Sequence, residues 1–229
     1  MKTAPTPGSA PAPDLLPRSL KGLYARLPEV LFGSVVACVA ATLPTLVAPG
    51  VSPASIFLYG LVLPAAMGVL LSLGDQLALG ADEKLWVSLR AARRAWLPST
   101  LIGLATALPV ALVVLTHEVW QQTGAAWVLP CLAVAGALAV VAVLLAAVAL
   151  PVVLVAPAMP ARSVFRLSLT ILAFRPVPVV ACAVMAGMGV WIAVHWAVSL
   201  LLLVPGPVAV ALCAAVWTSA LDLGLAELP

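Results

Sequence analysis

Asp75 is an acid inside an apolar stretch, with Gln76 beside it and no adjacent base. An ionisable group at membrane depth is costly to bury and marks a pathway by default. A proton or substrate relay through Asp75 is therefore one chemistry open to this chain. The plainer role is a carboxylate near an interface, paired with an arginine of a neighbouring connection. His117, Glu118 and His195 form a second set. Two imidazoles and one carboxylate are a Zn²⁺ set by ligand type, and Trp120, Trp191 and Trp196 accompany them in the sequence. His117 and Glu118 are neighbours, however, and His195 comes from a distant segment. Nothing in the spacing joins them, so no metal site is expected and the plainer reading is interface residues solvated by headgroups. The third set is cationic: Arg90, Arg93, Arg94, Arg162, Arg166 and Arg175. Guanidinium groups on a membrane surface contact anionic lipid headgroups or a protein partner, or simply fix topology.

Other chemistry lacks its residues. The chain has no Walker A lysine loop, GxSxG, HExxH or CxxC motif. The four cysteines, Cys38, Cys131, Cys182 and Cys213, lie inside apolar runs with no metal-ligand spacing, so they read as small buried thiols. No cofactor is expected. The net charge of +3 belongs to loops facing anionic headgroups rather than to a nucleic-acid surface.

The elements that must position these residues follow from hydropathy. The chain is 64% hydrophobic and 8% charged, whereas a soluble domain is roughly 25% charged. Lipid must cover most of its surface. Apolar runs span about residues 30–48, 56–79, 97–116, 127–158, 177–196 and 208–223, each near or above the ~20 residues that cross a hydrocarbon core of about 30 Å. The fourth is too long for one upright helix and too short for two with a turn. It is expected to be one helix, tilted or bent near Pro151. Residues 1–17, rich in Pro and Ala, read as a disordered tail, and residues 18–229 as a single membrane domain.

All 11 Lys and Arg residues fall in three places: before the first run, between the second and third, and between the fourth and fifth. Basic connections alternating with uncharged ones are the positive-inside signature. Both termini and the basic segments are therefore expected on the cytoplasmic side. Trp120, Trp127, Trp191 and Trp196 are expected near the outer interface, Trp86 and Trp96 near the inner one, and Trp217 fits neither. Segments 82–96 and 162–174 read as interfacial amphipathic helices. In the first, Leu85, Leu89, Ala92 and Trp96 share one face, opposite Glu83, Arg90 and Arg94; in the second, Arg162, Arg166 and Thr170 form a polar stripe.

A weak repeat links these segments. Ser19-Leu20 precedes Leu27-Pro28 and a span, Ser88-Leu89 precedes Leu97-Pro98 and a span, and Ser168-Leu169 precedes Arg175-Pro176 and a span. The unit would be one amphipathic segment plus two spans, used three times. Small residues at i, i+4, such as Ala183 and Gly187 or Ala133 and Ala137, are candidates for close helix contacts. Pro44, Pro64, Pro109, Pro130 and Pro151 are candidate kinks.

Leu43-Pro44-Thr45, the segment 86–96 leading to Leu97-Pro98, and Arg166-Leu167-Ser168-Leu169 through Phe174-Arg175-Pro176 resemble the YesL-like family of bacterial membrane proteins. Size and span order also match, over most of residues 18–223. The chain departs from that family in its Ala/Arg-rich basic segment, where members tend to carry Phe, Lys and Asn. The resemblance implies an accessory role beside carbohydrate ABC transporters and carries no catalytic residues.

The expectation is thus an all-α, six-span integral membrane bundle of the bacterial cell membrane, with two interfacial helices. Its function would be that of a non-enzymatic accessory or assembly component contacting lipid and transporter subunits. The alternative is a small transporter or channel with Asp75 and proline-kinked spans lining the path. A lipid-active enzyme is least supported, since it would need a polar cavity joining Asp75, Asp222 and the arginines.

Overall fold

A computed structural model describes residues 22–79, 85–196 and 202–223. The sequence expectations for residues 1–17, for Ser19-Leu20 and for Asp82, Glu83 and Lys84 fall outside them. The described chain forms α1 (Leu27–Val47), α2 (Pro53–Leu79), α3 (Leu85–Arg94), α4 (Trp96–Thr123), α5 (Val128–Val155), α6 (Ala161–Phe174), α7 (Pro176–Trp196) and α8 (Pro205–Asp222). All but α3 and α6 are long and apolar enough to cross a membrane. The protein is a multi-pass, all-helical membrane bundle. In hydrocarbon every backbone polar group must find a partner within the chain, and a helix supplies that partner locally.

Helix ends follow the punctuation. Pro28 and Pro176 enter in the first turn of their helices, where the missing N–H costs no intrahelical bond. Gly124 ends α4 in the left-handed region at φ 61°, with its N–H donated to the Trp120 carbonyl. Pro44, Pro64, Pro109 and Pro151 lie inside helices that continue past them. The long fourth run is one helix of 28 residues, about 42 Å by its rise. α4 has the same length and runs past residue 116, where its apolar run stops, so that His117 and Glu118 sit on its last turns.

α2 is the hub, packed against α1, α3, α4, α5 and α8. Half of its apolar window is buried, as is half of that in α8, against 17% for α7, which leans chiefly on α8. Close approach uses glycine. A Cβ at Gly103 of α4 would lie 2.1 Å from the Gly60 carbonyl oxygen of α2, and one at Gly74 would lie 2.9 Å from Cys213 Sγ of α8. The spacings singled out in the sequence behave otherwise. Ala133, Ala137, Ala183 and Gly187 are exposed, and nothing lies near a Cβ built at Gly187. Those positions face the bilayer, because hydropathy does not tell a lipid-facing alanine from a helix-facing one.

The described basic residues share one end of the bundle. Arg26, before α1, donates from Nη1 to Gln76 Oε1 of α2 at 3.3 Å. Arg175, after α6, pairs with Asp222 of α8 at 3.4 Å. α3 lies across the end of α2, where Ser72 Oγ is 3.2 Å from the Ser88 carbonyl and 3.0 Å from that of Val69. Trp86 and Trp96 are exposed at this basic end, and Trp127, Trp191 and Trp196 at the far end, in keeping with indole belts at two interfaces. Of the expected apolar face of this segment, Ala92 packs on the hub while Leu89 and Trp96 stay on the outer surface. Ser88 and Ala92 of α3, and Ala95 just past its end, turn inward, small side chains that let α3 lie flat on α2. On α6, Val164, Ser168 and Ile171 are buried, and Arg162 and Arg166 are exposed on the polar stripe.

Candidate functional site

Asp75 lies near the basic end of α2 and is buried, at 4% exposure. Its neighbour across the interface is α8, which the glycine at position 74 admits to close range. Trp217 Nε1 donates to Asp75 Oδ1 at 2.7 Å. This explains an indole that fits neither interfacial belt: it solvates a buried acid. Cys213 sits one helical turn before Trp217, beside the acid, and its thiol donates to the Leu71 carbonyl at 3.3 Å. Asp75 Oδ2 is buried without a hydrogen-bond partner among the described residues. The expected arginine partner is not the one seen. Arg26 reaches the adjacent Gln76 and lies 4.0 Å from Glu29, capping the site toward the basic end.

Asp75, Cys213 and Trp217, with Gln76 and Arg26 above them, make a polar centre in an apolar hub. No local pattern pairs Trp217 with its acceptor, which stands 142 residues away. The one available hint was its position within a span instead of at an interface. The arrangement can hold a proton or accept one further donor at Oδ2. Neither of the two described cavities is lined by Asp75. Asp222, required in a cavity with Asp75 for a lipid-enzyme site, is instead engaged with Arg175.

The His and Glu set is not assembled. His117 Nε2 is 2.9 Å from Gln121 Nε2 on its own helix, with its ring 5.8 Å from that of Trp120. His195 Nδ1 is 2.9 Å from the Trp191 carbonyl, its ring stacked at 4.7 Å on Trp191. Glu118 is exposed. Among the described residues no group of three His, Cys, Asp or Glu side chains stands close enough to hold a metal. None of the four cysteines forms a disulfide. Cys182 and Cys213 are buried as expected, whereas Cys131 is exposed and Cys38 only half-buried.

The cations occupy the surface. Arg90, Arg93, Arg94, Arg162, Arg166 and Arg175 are all exposed. Among the described residues Arg175 alone of these six has an ion-pair partner. Compared with protein-family models, with curated proteins and with solved structures, the chain matches none.

Proposed function

We propose that this protein is a non-enzymatic accessory or assembly component of the cell membrane, with both termini and the basic end in the cytoplasm. The observation that carries the reading is the state of α3. Its small-residue face is held on α2, while Arg90, Arg93 and Arg94 stand exposed on its outward side without an ion-pair partner among the described residues. A helix fixed to the hub on one side and cationic on the other is suited to docking anionic headgroups or an acidic partner surface. The YesL-like resemblance of segment 86–96 and of Arg166 through Pro176 favours subunits of a carbohydrate ABC transporter as that partner. Replacing Arg90, Arg93 and Arg94 by Ala should reduce partner recovery in detergent while topology is kept. Unchanged recovery with unchanged topology removes α3 as the docking surface. Labelling of segment 86–96 from outside intact cells would overturn the orientation.

A second reading, a small transporter, is supported by the carboxylate of Asp75 buried in the hub, whose Oδ2 has no hydrogen-bond partner among the described residues. Proteoliposome flux that is present in the wild type and lost in Asp75→Asn would favour it over the accessory role. Absence of flux in the wild type counts against it.

A further inference from the structure

Between α4, α5 and α6, at the basic end, lies a groove of about 580 Å³. That volume falls in the range of sites that hold small ligands. Its walls are built by size. Ala142, Ala146 and Ala149 line it at helical spacing on α5, facing Leu101 and Ala105 of α4, so the two helices leave space where larger side chains would close it. The lining is apolar except at two hydroxyls. Thr106 is already satisfied, donating to the Ile102 carbonyl at 2.9 Å. Ser168 of α6 is not: it is 1% exposed, and its Oγ has no partner among the described residues. Thr116, Thr170, Thr218 and Ser219 each donate to the carbonyl four residues earlier, whereas Ser168, like Ser34 and Ser88, makes no such bond, and of these three only Ser168 lines the groove. An orphaned hydroxyl in a dry site calls for an acceptor from outside.

The neighbouring charges say which molecule brings it. Arg162 follows Ala161 and Arg166 follows Phe165, both of those lining the groove, and both guanidinium groups are exposed and unpaired among the described residues. An apolar slot, one buried donor and two cations on a single helix match the parts of an anionic phospholipid: acyl chain, ester carbonyl and phosphate. We propose that the groove is a binding site for one anionic phospholipid of the leaflet at the basic end. The acyl chain lies along Ala142, Ala146 and Ala149, Ser168 Oγ donates to an ester carbonyl, and Arg162 and Arg166 hold the phosphate. Basic pockets between spanning helices bind such headgroups by charge. The inference stands whether or not α3 docks a protein partner.

The test is native mass spectrometry of the purified full-length protein with an equimolar mixture of phosphatidylglycerol and phosphatidylcholine. The wild type should retain one phosphatidylglycerol in preference to phosphatidylcholine. Ala146→Phe, which fills the slot, should lose it. Ser168→Ala should weaken retention roughly 2- to 12-fold, the equivalent of one neutral hydrogen bond. Arg162→Ala with Arg166→Ala should remove the preference for the anionic lipid. Glycerol phosphate, which has the headgroup charge without a chain, should not compete. Equal retention of both lipids by the wild type, or unchanged retention by a folded Ala146→Phe, overturns the proposal. If Ala146→Phe does not fold, Ser168→Ala decides alone: unchanged retention overturns it. Loss of partner recovery in the α3 variant with lipid retention intact would separate this site from the docking role.

Discussion

Small residues do opposite things on the two sides of α4. Toward α2 they close a seam: Gly60 and Gly103 bring the backbones into contact. Toward α5 and α6 they open one, since Ala105, Ala142, Ala146 and Ala149 leave a groove. The interfacial helices follow the same division. Ser88 of α3 sits against the hub, its carbonyl met by Ser72, whereas Ser168 of α6 lies in the wall of the groove. A small side chain in a membrane helix therefore does not specify contact. It specifies that something narrow must fill the gap, either another backbone or a slender ligand.

This contrast is broken most decisively at Gly103. Gly103→Leu drives a side chain into the Gly60 carbonyl and should cost about 3 kcal/mol or more, read as loss of the folded monodisperse species in detergent. If the protein tolerates it, the seam is not closed. Ala92→Leu should lift α3 from Gly68, where an added Cβ would already lie 3.5 Å from the Ala92 Cβ, at a cost of about 1–3 kcal/mol in thermal unfolding. Trp217→Phe removes the donor to Asp75 and should cost about 1–2 kcal/mol, in line with hydrogen bonds between membrane helices. Asp75→Asn, which keeps an acceptor for the indole, should cost less than Trp217→Phe; the reverse order would show that the indole bond is not what holds the acid. The smallest effect is expected on the open side, where Ala146→Leu grows into the groove and should change stability by less than about 0.5 kcal/mol in lipid-free detergent. A large loss there would mean that the groove closes in solution.

Much of this division was invisible in the sequence, and the reason is physical. Hydropathy reads burial from water, so it located the spanning runs and kept the fourth run as one helix. Charge placement located the basic end. Inside the membrane, however, the lipid-facing and helix-facing positions are equally apolar. The spacing of Ala183 and Gly187 was therefore indistinguishable from that of Gly103 and Ala107, although only the second pair is buried in a helix contact. The polar centre was half legible. Asp75 stood out as an acid at depth, but its partner comes from the last helix, and no local pattern pairs positions so far apart. Ser168 was noted only as a marker of the repeat; its missing hydrogen bond becomes visible once the neighbouring helices are placed. His117, Glu118 and His195 stay apart for a related reason, because residues at one interface need not meet across it.

The end of α4 has a practical consequence. The helix carries its last turns, with His117, Glu118, Gln121 and Gln122, beyond its apolar run before Gly124 reverses the chain. A Cβ built at Gly124 meets nothing, so the tip is free of the packing that holds the bundle together. A short epitope inserted there would leave the fold undisturbed and, by its access to antibody, would report which compartment that tip occupies.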